Sequence, residues 1–188
     1  MVKDDFLSWL ADNSAFYDNL EEVFSGLRPN GRILVVGPFA LPAAALMLAQ
    51  EPDLHVEGIC PDQELRALAP GLQWKRGVEG RHETIYAPMV INYIPKKDLV
   101  PFLFDVHDAL EEGGRFIFSF HDSPRPDLGS GRSVPLWFSS EEAVTKYYTL
   151  YDMVNTLAAV GFSIRRIDEV EGDGIIHAVS LECVKGKV

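Results

Sequence analysis

The chain has 188 residues, of which 47% are hydrophobic and 24% charged, and its formal net charge is −11 at pH 7. These values are typical of one globular domain over 1–188, and the acidic balance argues against binding to nucleic acid or to an anionic membrane surface. Two cysteines, Cys60 and Cys183, are too few for a disulfide framework, so we expect a reducing, cytoplasmic location. They are also too few for a four-thiolate zinc site, and the histidines are scattered, so we expect no metal centre.

Helices and strands alternate along the first half of the sequence. Residues 3–27 carry two apolar stripes at helical spacing, which predict helices at the N-terminus. A continuous apolar run over 33–36 predicts a buried strand, with a tight turn at Gly37 and an Ala- and Leu-rich helix over 43–50. The next predicted elements are a strand over 55–60, a helix over 63–69 with Asp62 as its N-cap, and a weak edge strand over 72–76.

The same alternation continues through the second half. The predicted elements are a strand over 84–87, a helical turn over 88–94, an amphipathic helix over 97–111 and a strand over 115–121. They are followed by a loop over 122–135, a largely helical segment over 141–159 with a break around Thr149, and strands over 162–170 and 175–184. His107 lies at a mostly polar helix position and is expected to be solvated. A four-residue turn at 171–174 cannot make a parallel crossover. The order therefore predicts an α/β fold with a mostly parallel sheet, helices on both faces and an antiparallel last strand.

Three stretches carry a family resemblance. Residues 87–94 (APMVINYI) and 103–119 (LFDVHDALEEGGRFIFS) look like the fourth strand, helix and fifth strand of the class I S-adenosylmethionine-dependent methyltransferases, of the small-molecule type 11 group. Residues 150–162 (LYDMVNTLAAVGF) resemble the last helix and sixth strand of that family. The resemblance covers roughly residues 14–184 and implies a Rossmann-like, seven-stranded fold. It also implies N-terminal lid helices over 1–28 and an insertion over the site at 122–148.

The resemblance implies that S-adenosylmethionine is bound at the ends of the first strands. Gly37 matches the first glycine of the family's loop, whereas Phe39 and Leu41 stand where two further glycines are usual. Cys60 stands where an acid usually takes the ribose hydroxyls, so Asp62 is a possible substitute. The implied cofactor-binding residues are Tyr17, Gly37, Phe39, Cys60, Asp62, Glu79, Ala87 and Met89.

The end of the fifth strand carries the acid–base candidates. A histidine beside a carboxylate can titrate near neutral pH, so His121 and Asp122 are the candidate catalytic pair, with an ordinary solvent-exposed strand end as the alternative. The predicted substrate pocket comprises Asn92, Tyr93, Trp137 and Tyr147. Simple core packing is the open alternative for Asn92 and Tyr93, and a protein interface is the alternative for Trp137 and Tyr147. Because a sulfonium methyl group is already activated, such an enzyme needs chiefly positioning and a dry pocket.

Two functions remain open from the sequence. One is a methyltransferase that acts on a small molecule. The other is a catalytically silent protein of this fold, acting as a binding module or as a partner subunit, because Val35, Phe39, Leu41 and Cys60 all depart from the family's cofactor motif. A third reading is another ligand or reaction in the same cleft. An NAD-type dehydrogenase is disfavoured because Gly-x-Gly-x-x-Gly is absent. The sequence predicts no oligomeric state.

Overall fold

The computed structural model describes residues 3–12, 14, 18, 22, 31–122, 133–135, 142–144, 148–171 and 177–186. The helices are α1 (Lys3–Asp12), α2 (Leu41–Gln50), α3 (Gln63–Arg66), α4 (Lys96–Ala109) and α5 (Leu150–Val160). The strands are β1 (Arg32–Val36), β2 (His55–Ile59), β3 (Gln73–Trp74), β4 (His82–Pro88), β5 (Leu110–His121), β6 (Ser133–Pro135), β7 (Glu142–Val144), β8 (Phe162–Glu171) and β9 (His177–Lys185). Short 3-10 helices cover Pro38–Ala40 and Ile91–Tyr93.

Seven of these strands form one sheet in the order β3-β2-β1-β4-β5-β9-β8. Strands β1 to β5 pair in parallel, whereas β9 runs antiparallel to both of its neighbours, β5 and β8. This arrangement confirms the predicted mostly parallel sheet with an antiparallel last strand. Strands β6 and β7 form a separate antiparallel pair.

The core lies on both faces of the sheet, which is why β1 is a continuous apolar run. Ile33 and Val35 belong to the buried cluster that also contains residues of α1, α2 and α3. Leu34 and Val36 belong to a second cluster, which contains residues of α4 and α5. Successive side chains of β1 therefore serve opposite layers of one α/β sandwich.

Some element boundaries differ from the sequence predictions. The predicted helix over 97–111 ends at Ala109, and β5 begins at once at Leu110 instead of at residue 115. The predicted helical segment over 141–159 is wrong in its first part, because β7 occupies Glu142–Val144 and pairs with β6. Helix α5 starts only after Thr149, whose hydroxyl accepts the N–H of Asp152 at 3.1 Å and caps the helix.

His107 is buried, which corrects the expectation that it is solvated. Its ring packs edge-on against Phe162 with the ring centroids 5.2 Å apart. The helix pattern predicts exposure because it shows only the residues of α4, whereas the burial comes from the start of β8, more than fifty positions later in the chain.

A buried carboxylate lies in the middle of β2. Glu57 is 2% exposed, and Lys75 approaches it at 3.1 Å while Arg32 and His82 each lie 3.7 Å away. Burial alone would raise the pKa of Glu57, but the hydrogen bond and charge of Lys75, together with the neighbouring histidines, lower that pKa below its ordinary value. Burial also lowers the pKa of His82, against the opposing effects of the Glu79 carbonyl and Glu57.

Residues 75–81 connect β3 to β4 without a helix.

The described helices are too short or too polar to cross a membrane.

Candidate functional site

The turn after β1 has a backbone conformation that only glycine readily adopts. Gly37 has φ 88° and ψ 167°, a region that side chains with a Cβ almost never enter. Its N–H donates to the carbonyl of Ile59 at 2.8 Å, which ties the end of β1 to the end of β2. The structure thereby confirms the tight turn at Gly37 and explains why this residue is a glycine.

The bulky residues after this turn face the interior. Phe39 is 2% exposed and Leu41 is fully buried. The ring of Phe39 meets Phe6 of α1 edge to face, with centroids 5.6 Å apart and planes at 71°. The space above the turn is therefore filled by aromatic side chains from the loop and from the N-terminal helix.

Cys60 follows β2 directly and is 1% exposed. Its thiol donates to the carbonyl of Asp62 at 3.6 Å. Burial raises the pKa of Cys60 to about 11, so the thiol stays neutral at physiological pH. A neutral buried thiol is a weak hydrogen-bonding group, and it packs here as a small apolar side chain.

Asp62 caps α3, as the sequence predicts. One of its carboxylate oxygens accepts the N–H of Glu64 at 2.9 Å and that of Leu65 at 3.4 Å. Arg66, in the same helix, donates to the carbonyl of Cys60 at 2.7 Å and lies 5.2 Å from the ring centroid of Trp74. The end of β2 is thus organised by helix capping and by an arginine.

Met89 stands directly after β4 in a left-handed conformation, with φ 59°. It is 1% exposed, and its N–H meets both the carbonyl of Ser119 at 3.0 Å and the hydroxyl of Ser119 at 3.1 Å. A non-glycine residue in this region is strained and persists only where its surroundings hold it. The ends of β4 and β5 are therefore joined through a strained and well-held turn.

A second link joins the same two strands. Asn92 is fully buried, and its amide oxygen accepts the N–H of His121 at 2.8 Å while its amide nitrogen donates to the His121 carbonyl at 3.3 Å. His121 and the adjacent Asp122 are partly exposed at the end of β5. The Asn92 amide thus fixes the backbone that presents the predicted acid–base pair.

The structure brings together only some of the predicted site residues. Phe39, Cys60, Met89 and Tyr93 share one buried apolar cluster, to which Phe6 also belongs. Two other predicted residues lie apart from that cluster. Ala87 packs in the cluster on the opposite face of the sheet, and Glu79 is an exposed residue of the 75–81 connection. Tyr17, Trp137 and Tyr147 lie outside the described residues.

Sequence reasoning missed Phe6 and Ser119. Phe6 belongs to the apolar stripe of the first predicted helix, so the signal was present, but nothing in the stripe indicates which loop it meets. Ser119 is a polar residue between Phe118 and Phe120 in a buried strand. A lone buried hydroxyl needs a partner, and this requirement was the available signal.

The side chains at the ends of β1 and β2 do not fit S-adenosylmethionine in this conformation. The ribose hydroxyls and the amino-acid part of that cofactor need polar partners. Cys60 offers a neutral buried thiol, the described cap bonds of Asp62 go to backbone N–H groups of α3, and Phe39, two residues after Gly37, is a buried apolar side chain. Among the described residues, the backbone turn that suits a nucleotide-like ligand is present, and the side chains of Phe39 and Leu41 that follow it are apolar and buried.

No known family model matches the chain, and no curated protein matches its sequence. Solved structures do match. A 1,6-didemethyltoxoflavin-N1-methyltransferase from Burkholderia thailandensis, with bound 1,6-didemethyltoxoflavin and S-adenosylhomocysteine, is similar at a TM-score of 0.74 and 18% identity, over 98% of this chain and 84% of that chain. A methyltransferase from Clostridium acetobutylicum is similar at a TM-score of 0.68 and 14% identity, over 98% of this chain and 99% of that chain. The [4+2]-cyclase SpnF is similar at a TM-score of 0.66 and 13% identity, over 91% of this chain and 81% of that chain.

These likenesses define the class of fold. The protein has the Rossmann-like, seven-stranded fold of the class I S-adenosylmethionine-dependent methyltransferases. SpnF, named as a cyclase, has the same fold, so the architecture alone does not assign a reaction.

Proposed function

We propose that this protein is an S-adenosylmethionine-dependent methyltransferase that acts on a small molecule. The observation that carries the proposal is the Gly37 turn, which ties the ends of β1 and β2 together in a sheet of methyltransferase order. In open α/β sheets, ligands bind at the carboxyl ends of the strands, where this turn lies. Similar structures named as small-molecule methyltransferases support the same assignment.

The protein's own contribution would be to position the reactants and exclude water. S-adenosylmethionine, when bound, supplies an activated methyl group, so no strong base is required of the protein. The linked ends of β4 and β5 form a rigid floor, because Met89 and Asn92 both bind β5 residues. His121 and Asp122 are partly exposed beside this floor and remain the proposed acid–base pair.

A second candidate is a catalytically silent protein of the same fold that binds a partner subunit. Buried Phe39 and buried Cys60 favour it, because both occupy positions where the family uses cofactor-contacting groups. Each lost hydrogen bond to a charged or bidentate partner costs about 1.5–3 kcal/mol. Three such losses amount to about 4.5–9 kcal/mol, which moves a micromolar affinity to millimolar or weaker.

Isothermal titration of the full chain with S-adenosylmethionine and with S-adenosylhomocysteine tests the proposal. We expect saturable heat with an affinity on the order of micromolar. Gly37→Ala should abolish that heat, since alanine cannot hold the turn. The matched control is Gly113→Ala, at another positive φ near the start of β5, where the pairing with β4 shifts register, and it should bind as the wild type does. Absence of heat with either ligand up to millimolar concentration would instead support the silent protein.

A further inference from the structure

Two described side chains of helix α1 pack against the rest of the domain. Among its described side chains, Phe6 is fully buried and Leu10, one turn later, is partly buried against the same cluster. Leu7 is 40% exposed, and Asp4 and Ser8 face solvent. A ten-residue helix is marginal in isolation, so α1 depends on its packing against the domain.

Phe6 packs against Phe39, which lies in the loop after β1 where the cofactor is proposed to bind. Phe6 contacts Phe39 edge to face and shares its buried cluster with Cys60 and Met89, at the ends of β2 and β4. Each of these four side chains is at most 2% exposed. Phe6 is thus the described residue of α1 that packs onto the loop after β1, and its contact there is with Phe39.

We propose that Phe6 is an internal occupant of the ligand site, so that packing of α1 and binding of the cofactor exclude each other. The inference rests on the proposed function and concerns regulation of that same site. Withdrawal of α1 removes the phenyl ring that packs edge-on against Phe39, two residues after Gly37. In this proposal the closed form is the one in which the Phe6–Phe39 pair covers the loop after β1.

If α1 packing and ligand binding exclude each other, the measured ligand affinity depends on how often α1 is packed. A site that is open in only a fraction of the molecules shows an affinity reduced by that fraction. Any change that weakens α1 packing without touching the ligand should therefore tighten binding. A helix that closes over a bound ligand would behave in the opposite way, because its loss would weaken binding.

Titration of the full-length wild type, Phe6→Ala and Leu7→Ala with S-adenosylhomocysteine tests this statement. We expect Phe6→Ala to lower the Kd by about tenfold or more. Leu7→Ala is the matched control on the same helix, and it should keep the wild-type Kd because Leu7 is exposed. An equal or weaker affinity of Phe6→Ala would overturn the inference and leave the proposed function standing. Absence of binding by all three proteins would overturn both.

Hydrogen exchange of the wild type supplies a second readout that needs no variant. If Phe6 is displaced by the ligand, saturating S-adenosylhomocysteine should raise amide exchange across Lys3–Asp12. Slower exchange in α1 on ligand addition would contradict the proposal, because it would show the helix closing on the ligand. The peptide that covers β5 is the internal reference, since its paired amides should exchange equally slowly in both states.

Discussion

The side chain of Asn92 and the backbone of His121 bind each other reciprocally, with one hydrogen bond in each direction at 2.8 and 3.3 Å. A single buried amide thereby satisfies both the N–H and the carbonyl of a residue at the end of β5. The pair replaces the regular ladder where β4 has already ended at Pro88. On its β4 side, the end of β5 is therefore bonded by a side chain from the following 3-10 helix, while β9 pairs with His121 on the other side.

The first prediction concerns this amide. Asn92→Ala should destabilise the protein by about 2–4 kcal/mol, because it leaves two backbone groups of His121 without their partner. Denaturant unfolding measures the change as a shift of the midpoint at constant slope. Asn155→Ala, an exposed position of α5, is the matched control and should stay within about 0.5 kcal/mol of the wild type. Equal stability of the two variants would contradict a bonding role for Asn92.

The second prediction is a loss of stability in mild acid that depends on His82. The pKa of this buried histidine is lowered from 6.5, so below that pH the unfolded chain binds its proton more readily than the folded one. Stability should therefore fall as the pH drops through this range, and the lowered pKa of Glu57 should add a further loss below about pH 4.5. Denaturant midpoints between about pH 8 and pH 5 measure the first part. In His82→Gln the slope over that interval should shrink, whatever the stability of the variant at pH 8, and an unchanged slope would refute the assignment.

The third prediction concerns the two thiols. Burial raises the pKa of Cys60 to about 11 and that of Cys183 to about 12, and only the thiolate reacts with disulfide reagents. Both should resist labelling in the native wild type near neutral pH and react after denaturation. In Phe6→Ala, labelling of Cys60 should accelerate while Cys183 stays protected, since only Cys60 shares the cluster with Phe6. Labelling of the native wild type at the unfolded rate would show that the burial is wrong.

The fourth prediction compares two glycines with left-handed backbones. Gly161 has φ 106°, and a Cβ there would lie 3.2 Å from Nε2 of His107, whereas Gly113 has φ 74° and open space around it. Alanine at either position carries a backbone penalty of about 1–2 kcal/mol. Gly161→Ala should therefore cost more than Gly113→Ala, by the amount needed to shift the buried imidazole. Thermal or denaturant unfolding of both variants measures the difference in stability loss. Equal losses would mean that the His107 ring moves aside without a measurable penalty.

The sheet could be predicted from the sequence because its signals are local. The apolar run of β1, the conformation required of Gly37 and the cap at Asp62 each depend on a few neighbouring residues, and the structure has all three. The antiparallel direction of β9 followed from the shortness of the preceding turn.

The remaining features depend on contacts between distant parts of the chain. The burial of His107 comes from Phe162, and the filling of the loop after β1 comes from Phe6. Asn92 was predicted to line a substrate pocket, and its role in holding His121 becomes visible only once β4 and β5 are known to be neighbours. Such pairings carry no periodic signal, because each is a single contact made by the assembled fold.

The position of β9 between β5 and β8 sets an order of assembly. Strand β9 follows every other strand of the sheet in sequence, yet β8 reaches the sheet only through it. During synthesis, β5 must therefore wait with an unpaired edge and its phenylalanines incompletely covered until residue 185 has been made. The nascent chain consequently exposes an aggregation-prone edge for as long as the intervening residues take to translate, and this is the interval in which a chaperone would act on it.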